Sequence, residues 1–183
     1  MGRGMKALRR LGGLCGLLAL CAGATGHAAS SLPGGVSSLQ ERYQDWRVLC
    51  HVSDGTKDAP GVQCYMVQQA LDSRTRRRVM SVRLEPDGVQ VRGVATVPFG
   101  LDLVRGLTLT SDIQPVGDSY SFSTCLPTGC LVPLSFDDQQ WNTLLKEEKA
   151  TFTAMTFSGQ PMKLAFSTKG LAQALQRVRT LMQ

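Results

Sequence analysis

The sequence predicts a mainly β protein, an antiparallel β-sandwich of about eight to ten short strands with two helices, one of them C-terminal. Three observations lead there. From Trp46 onward, apolar and polar residues alternate with period two in short runs; clusters of Gly, Pro and Asp punctuate those runs; only two segments, near 137–148 and 169–183, carry helical spacing. A chain of 183 residues, 43% hydrophobic and 19% charged, suits one domain with its own core.

Residues 1–28 read as a secretory signal peptide, outside the fold. Arg3, Lys6, Arg9 and Arg10 form a basic start without an acid, Leu11 to Ala24 is apolar, and Gly26-His27-Ala28 is a small-x-Ala cleavage pattern, with Ala22-Gly23-Ala24 an earlier one. The apolar run is short for a bilayer span, and the bulky Leu20 before Cys21 makes a poor lipoprotein signal. Residues 29–44, which include Ser30-Ser31-Leu32-Pro33-Gly34-Gly35, read as a flexible lead-in, leaving 45–183 as the domain.

The strands follow. Trp46, Val48 and Cys50 alternate with Arg47, Leu49 and His51, and turn signals lie at Asp54-Gly55 and Pro60-Gly61 before a second strand from Val62 to Leu71. Arg78 to Leu84 and the run from Val89 to Val97 form a hairpin closed by Glu85-Pro86-Asp87-Gly88, where Pro fixes φ and Gly takes positive φ. Pro98-Phe99-Gly100 breaks the chain before a strand over Leu101–Thr110 with a bulge at Gly106. Ser119–Cys125 and Leu131–Phe136 form the arms of another hairpin, closed by Pro127-Thr128-Gly129. The first helix spans about Asp137 to Glu148: Asp137 and Gln140 make a capping box, and Trp141, Leu144 and Leu145 form its stripe. Strands over Ala150–Phe157 and Met162–Ser167 precede the second helix, whose stripe is Leu171, Ala174, Leu175, Val178, Leu181 and Met182.

The net charge of +6 points toward nucleic acid until its location is considered. Removing residues 1–28 takes away four of the 20 basic residues and none of the 14 acidic ones, leaving 16 against 14, a net +2. Aromatic interleaving for base stacking is missing too, so no nucleic-acid partner is expected. Four cysteines remain, Cys50, Cys64, Cys125 and Cys130, an even number in a chain read as exported. Three pairings are open; the local one, Cys50–Cys64 with Cys125–Cys130, keeps each pair within one short segment. The spacings are not those of zinc sites, and no C-x-x-C is present.

These residues resemble a known family. Asp45-Trp46-Arg47-Val48-Leu49-Cys50, followed by Cys64-Tyr65-Met66-Val67-Gln68-Gln69, is similar to the opening of the invasion-associated locus B family. Val97-Pro98-Phe99-Gly100-Leu101 before Leu103-Val104-Arg105-Gly106-Leu107, the Cys125 and Gly129-Cys130 hairpin, and the closing Phe166-Ser167-Thr168-Lys169-Gly170-Leu171 agree in order over roughly 45–183. The resemblance implies an exported envelope protein of alphaproteobacteria, whose founding members are associated with entry into host erythrocytes, and it carries no catalytic motif to transfer. The run Arg74-Thr75-Arg76-Arg77-Arg78 is more basic than the family pattern.

Catalytic chemistry finds little support in the residues. His51 is the only histidine after residue 28, beside a cysteine expected to be oxidised. Gly117-Asp118-Ser119 resembles a GDS-type hydrolase block, but no later histidine completes it, and no G-x-S-x-G occurs. Asp137-Asp138 reads as helix capping and Glu147-Glu148 as a solvated mixed-charge end beside Lys146 and Lys149. Trp46 and Trp141 read as core, and the C-terminal helix, with Arg177 and Arg179 opposite its stripe, as packed on the sheet rather than lying on a membrane. Arg74, Arg76, Arg77 and Arg78 are the candidate anion-binding residues. The expectation is a non-catalytic binding protein without metal or cofactor, placed in the periplasm, at the outer membrane by peripheral association, or outside the cell. Its expected partner is a protein or an anionic component of the envelope or host surface. A periplasmic inhibitor or chaperone-like module is the alternative, and a small hydrolase a more distant one.

Overall fold

The computed structural model describes Met1, residues 31–53 and residues 61–183. The expected signal peptide, Met1 apart, and the turn signals at Asp54-Gly55 and Pro60 lie outside the described residues. Among the described residues eleven strands form two antiparallel sheets, one more strand than the upper end of the expected range. Strands β1 (Ser38–Tyr43), β2 (Trp46–Ser53), β3 (Gly61–Leu71), β4 (Arg78–Asp87) and β5 (Gln90–Val97) lie side by side in chain order. The sheet is completed beyond β5 by β9 (Gly129–Phe136) and then β8 (Thr124–Leu126). The smaller sheet has the order β11 (Pro161–Ser167), β10 (Lys149–Met155), β6 (Leu107–Ser111), β7 (Gln114–Pro115). Helix α1 (Asp138–Leu144) joins β9 to β10, and α2 (Leu171–Leu181) ends the fold.

Period-two alternation decides which face of the large sheet is dry. Trp46, Val48 and Cys50 of β2, Cys64 and Met66 of β3, Met80, Val82 and Leu84 of β4, and Val132, Leu134 and Phe136 of β9 are buried on one face. They share a single core with Leu107, Leu109, Phe152, Leu164 and Phe166 of the small sheet and with Leu171, Ala174, Leu175 and Val178 of α2. The helix therefore packs its stripe onto the sheet, while Met182 lies outside the core.

Several boundaries differ from the sequence reading, each for a tertiary reason. The lead-in assigned to 29–44 ends earlier: Leu32 is buried and Ser38–Tyr43 is the edge strand β1, with Glu41 held by Arg177 of α2. β4 runs on through Pro86 to Asp87, so the hairpin loop is only Gly88-Val89, with Gly88 at φ 60°. The strand expected over Leu101–Thr110 begins at Leu107, because Asp102–Arg105 closes into a turn held by the Asp102 carboxylate. Gly106 (φ 66°) lies against the Tyr120 carbonyl instead of forming a bulge. The arm expected over Ser119–Cys125 shrinks to Thr124–Leu126, since Tyr120 bridges to Leu107 of the other sheet. α1 starts with the expected capping box, the Asp137 carboxylate accepting from Gln140 N at 2.8 Å and Gln140 Oε1 accepting from Asp137 N at 3.0 Å. It ends at Leu144, where the buried Ser111 hydroxyl donates to the Leu144 carbonyl and the chain turns to pair β10 with β6.

Candidate functional site

The two disulfides set the scaffold. Cys50 and Cys64 are direct partners across β2 and β3, with Cα atoms 4.1 Å apart. Cys125 and Cys130 are direct partners across β8 and β9, 3.9 Å apart and one pair back from the Pro127-Thr128 loop. Each joins two strands that already pair, so neither is needed to bring distant segments together.

Gln68 does join distant segments, and the sequence reading passed it over. Its buried amide donates from Nε2 to the Ser167 carbonyl at 2.9 Å and accepts from Ser167 N at Oε1 at 2.7 Å. Trp46 Nε1 donates to the same carbonyl at 2.9 Å, and its ring meets Phe166 edge to face at 6.3 Å. One end of β11 is thereby clamped to β2 and β3. The signal was a glutamine at an inward position of an alternating strand, a place that demands a partner.

Arg74, Arg76 and Arg77 lie in the loop between β3 and β4, and Arg78 opens β4. The Asp72 carboxylate organises this loop, accepting from Thr75 N at 2.6 Å, the Thr75 hydroxyl at 2.8 Å and Arg74 N at 3.1 Å. Those bonds hold its carboxyl below the ordinary carboxylate range. Arg76 takes a left-handed conformation (φ 58°), and all four arginine side chains are exposed. Arg77 and Arg78 border a recess of about 270 Å³ with Phe99 and Thr128, and Arg78 Nη2 donates weakly to the Thr128 carbonyl at 3.4 Å. Arg78 also borders a second recess, on the solvent face of the large sheet, together with Arg47 and Arg83. Among the described residues, Arg47, Arg74, Arg76, Arg77 and Arg78 make no ion pair, whereas Arg83, Arg92, Arg105 and Arg177 each meet a carboxylate.

The other candidates take structural positions. His51 is exposed on β2, between Ser38 of β1 and Gln63 of β3. Trp141 is half-buried against Phe136. In the Gly117-Asp118-Ser119 block, Ser119 is exposed, and the neighbouring Tyr120 hydroxyl donates to the Val116 carbonyl at 2.8 Å. Burial, and then the nearby Asp137 and Asp118 charges, push the Tyr120 phenol up to about 12. Glu148 pairs with Lys169 at 2.8 Å. Among the described residues no group of three or more His, Cys, Asp and Glu side chains is placed to hold a metal ion, and no helix is long and apolar enough to cross a membrane.

Comparison with known proteins agrees with this scaffold. Residues 46–179 match the family described as invasion associated locus B (IalB) protein. An invasion protein B homolog of Brucella abortus is 41% identical over 155 residues, covering 84% of this chain and 86% of the relative. Invasion protein B of Bartonella bacilliformis is 33% identical over 163 residues, covering 86% and 84%. The crystal structure of invasion associated protein b from Bartonella henselae superposes with a TM-score of 0.71 at 26% identity, over 79% of this chain and 97% of that one.

Proposed function

Because the chain belongs to the invasion associated locus B (IalB) protein family, we propose that it is an exported protein that acts by binding, not catalysis, at the bacterial envelope or a host-cell surface. The names of its relatives from Brucella and Bartonella support the setting. Two disulfides in an otherwise ordinary domain support a place outside the reducing cytoplasm. The observation that carries the binding reading is the concentration, at one end of the large sheet, of guanidinium groups that meet no carboxylate among the described residues: Arg47, Arg74, Arg76, Arg77 and Arg78. Arginine suits anionic partners because its planar fork donates two parallel hydrogen bonds to one oxyanion.

Two measurements test this. Mass spectrometry of the protein recovered from its own cells should find an N-terminus near Ala29 and no alkylatable thiol; a retained Met1 or free cysteines would overturn export. Replacing Arg74, Arg76, Arg77 and Arg78 together by Gln should weaken retention on anionic envelope material and on host-cell surfaces at low salt. Binding that survives unchanged would return the arginines to plain surface.

A further inference from the structure

We infer that the binding surface lies on the solvent face of the large sheet and that its ligand is a saccharide bearing a tetrahedral oxyanion, phosphate or sulfate, held by Arg47, Arg78 and Arg83. The inference rests on the anionic-partner reading above and deepens it. Strand register places the first and last of these arginines. Arg47 is paired with Val67, Val67 with Arg83, and Arg83 with Val94, so one row across the sheet carries two arginines whose backbones stand two strand spacings apart, roughly 10 Å. Arg78 reaches the same recess from the start of β4. The recess holds about 470 Å³, and among the described residues no carboxylate borders it.

Its remaining walls narrow the ligand. Leu49, Val67 and Val94, half-buried, give patches of hydrocarbon; Gln69 adds an amide and Ser81 and Thr96 add hydroxyl groups beside the arginines. That mixture of C–H patches and small donors matches a sugar ring carrying an oxyanion better than it matches an acyl chain. The exposed large apolar side chains Phe99, Val104 and Phe157 do not border the recess. A nucleic acid would want a bare aromatic face, but Tyr65 is already covered: the Arg83 guanidinium stacks 3.8 Å from its ring centroid. That contact holds the Arg83 guanidinium over the ring, and its contact with Glu85 is long, at 3.4 Å. The group is thus oriented before any ligand arrives, which lowers the ordering cost of binding.

The experiment measures binding of the full chain to four probes at low and high salt. They are a phosphorylated core oligosaccharide of lipopolysaccharide, a heparin-derived sulfated oligosaccharide, polyglutamate and a neutral dextran fragment. The expected result is salt-sensitive binding to the phosphorylated or the sulfated saccharide, at least about tenfold tighter than to polyglutamate, and none to dextran. Preference between the first two assigns the source, bacterial envelope or host glycan. The double variant Arg47→Gln/Arg83→Gln should weaken binding about tenfold or more, whereas the loop variant Arg74→Gln/Arg76→Gln/Arg77→Gln should change it less than about threefold. Arg47→Lys/Arg83→Lys, which keeps the charge and protects against misreading a folding defect, should still lose several-fold, because an ammonium cannot make the bidentate contact. If the loop variant abolishes binding while the face variants bind normally, this inference fails and the anionic-partner reading stands. Equal binding to polyglutamate overturns the oxyanion assignment, and no binding to any charged probe overturns both.

Discussion

At the scale of single residues, the amide of Gln68 and the indole of Trp46 converge on one backbone group, Ser167, from another sheet. Replacing Gln68 by Ala leaves the Ser167 N–H without its acceptor in a half-buried seam, and an unsatisfied group of that kind costs about 1–3 kcal/mol. Urea denaturation followed by tryptophan fluorescence should show a loss in that range; a Gln68→Ala protein as stable as the parent would mean that water replaces the clamp. Trp46 was legible as core because Trp46, Val48 and Cys50 alternate with Arg47, Leu49 and His51, which fixes the face it points to. The clamp was not legible. A buried glutamine announces that it needs a partner, but the partner lies 99 residues away, across a contact that no local pattern encodes.

At the scale of elements, the capping box of α1 could be read directly, because all of its bonds lie within four residues. β1 could not. It follows closely on a Ser-, Gly- and Pro-rich stretch and has only Leu39 and Tyr43 as apolar side chains, and it becomes a strand through pairing with β2 and through the bidentate contact of Arg177 with Glu41, both distances 2.8 Å. The Arg177 guanidinium holds the Glu41 carboxyl below the ordinary carboxylate range, with the Tyr43 hydroxyl assisting and partial burial opposing. A carboxyl depressed in the folded state contributes stability above its unfolded pKa, about 4.3, and loses that contribution as pH falls through the folded value. Both side chains keep some exposure, 30% and 26%, so solvent screening limits the effect to about 0.5–1 kcal/mol. Glu41→Gln should therefore be less stable than the parent by about that amount at neutral pH, with the gap closing as both are acidified below pH of about 4. A gap that is constant with pH would show that the contact is held by packing rather than by charge.

At the scale of the whole molecule, the antiparallel architecture was legible because each hairpin writes its own alternation and turn. Which strands fall in which sheet was not, since it depends on β9 joining β5 and on Tyr120 bridging to Leu107, pairings that no single hairpin encodes. The disulfides add to this frame unequally. By loop entropy, the pair separated by 14 residues contributes about 3 kcal/mol and the pair separated by 5 about 2. Denaturation of Cys50→Ala/Cys64→Ala should show the larger loss, and the reverse order would mean that native packing at the β8–β9 tip outweighs the closed loop. The strand order also has a consequence in time. β1 to β4 each pair with the next strand in the chain, so a polypeptide that emerges N-terminus first can close one hairpin after another up to β5 without waiting for distant partners. Cys50 and Cys64 meet in one of the earliest of these hairpins, before Cys125 has emerged to compete for either. Of the three ways to join four cysteines, the order of arrival favours the pairing that the finished fold contains.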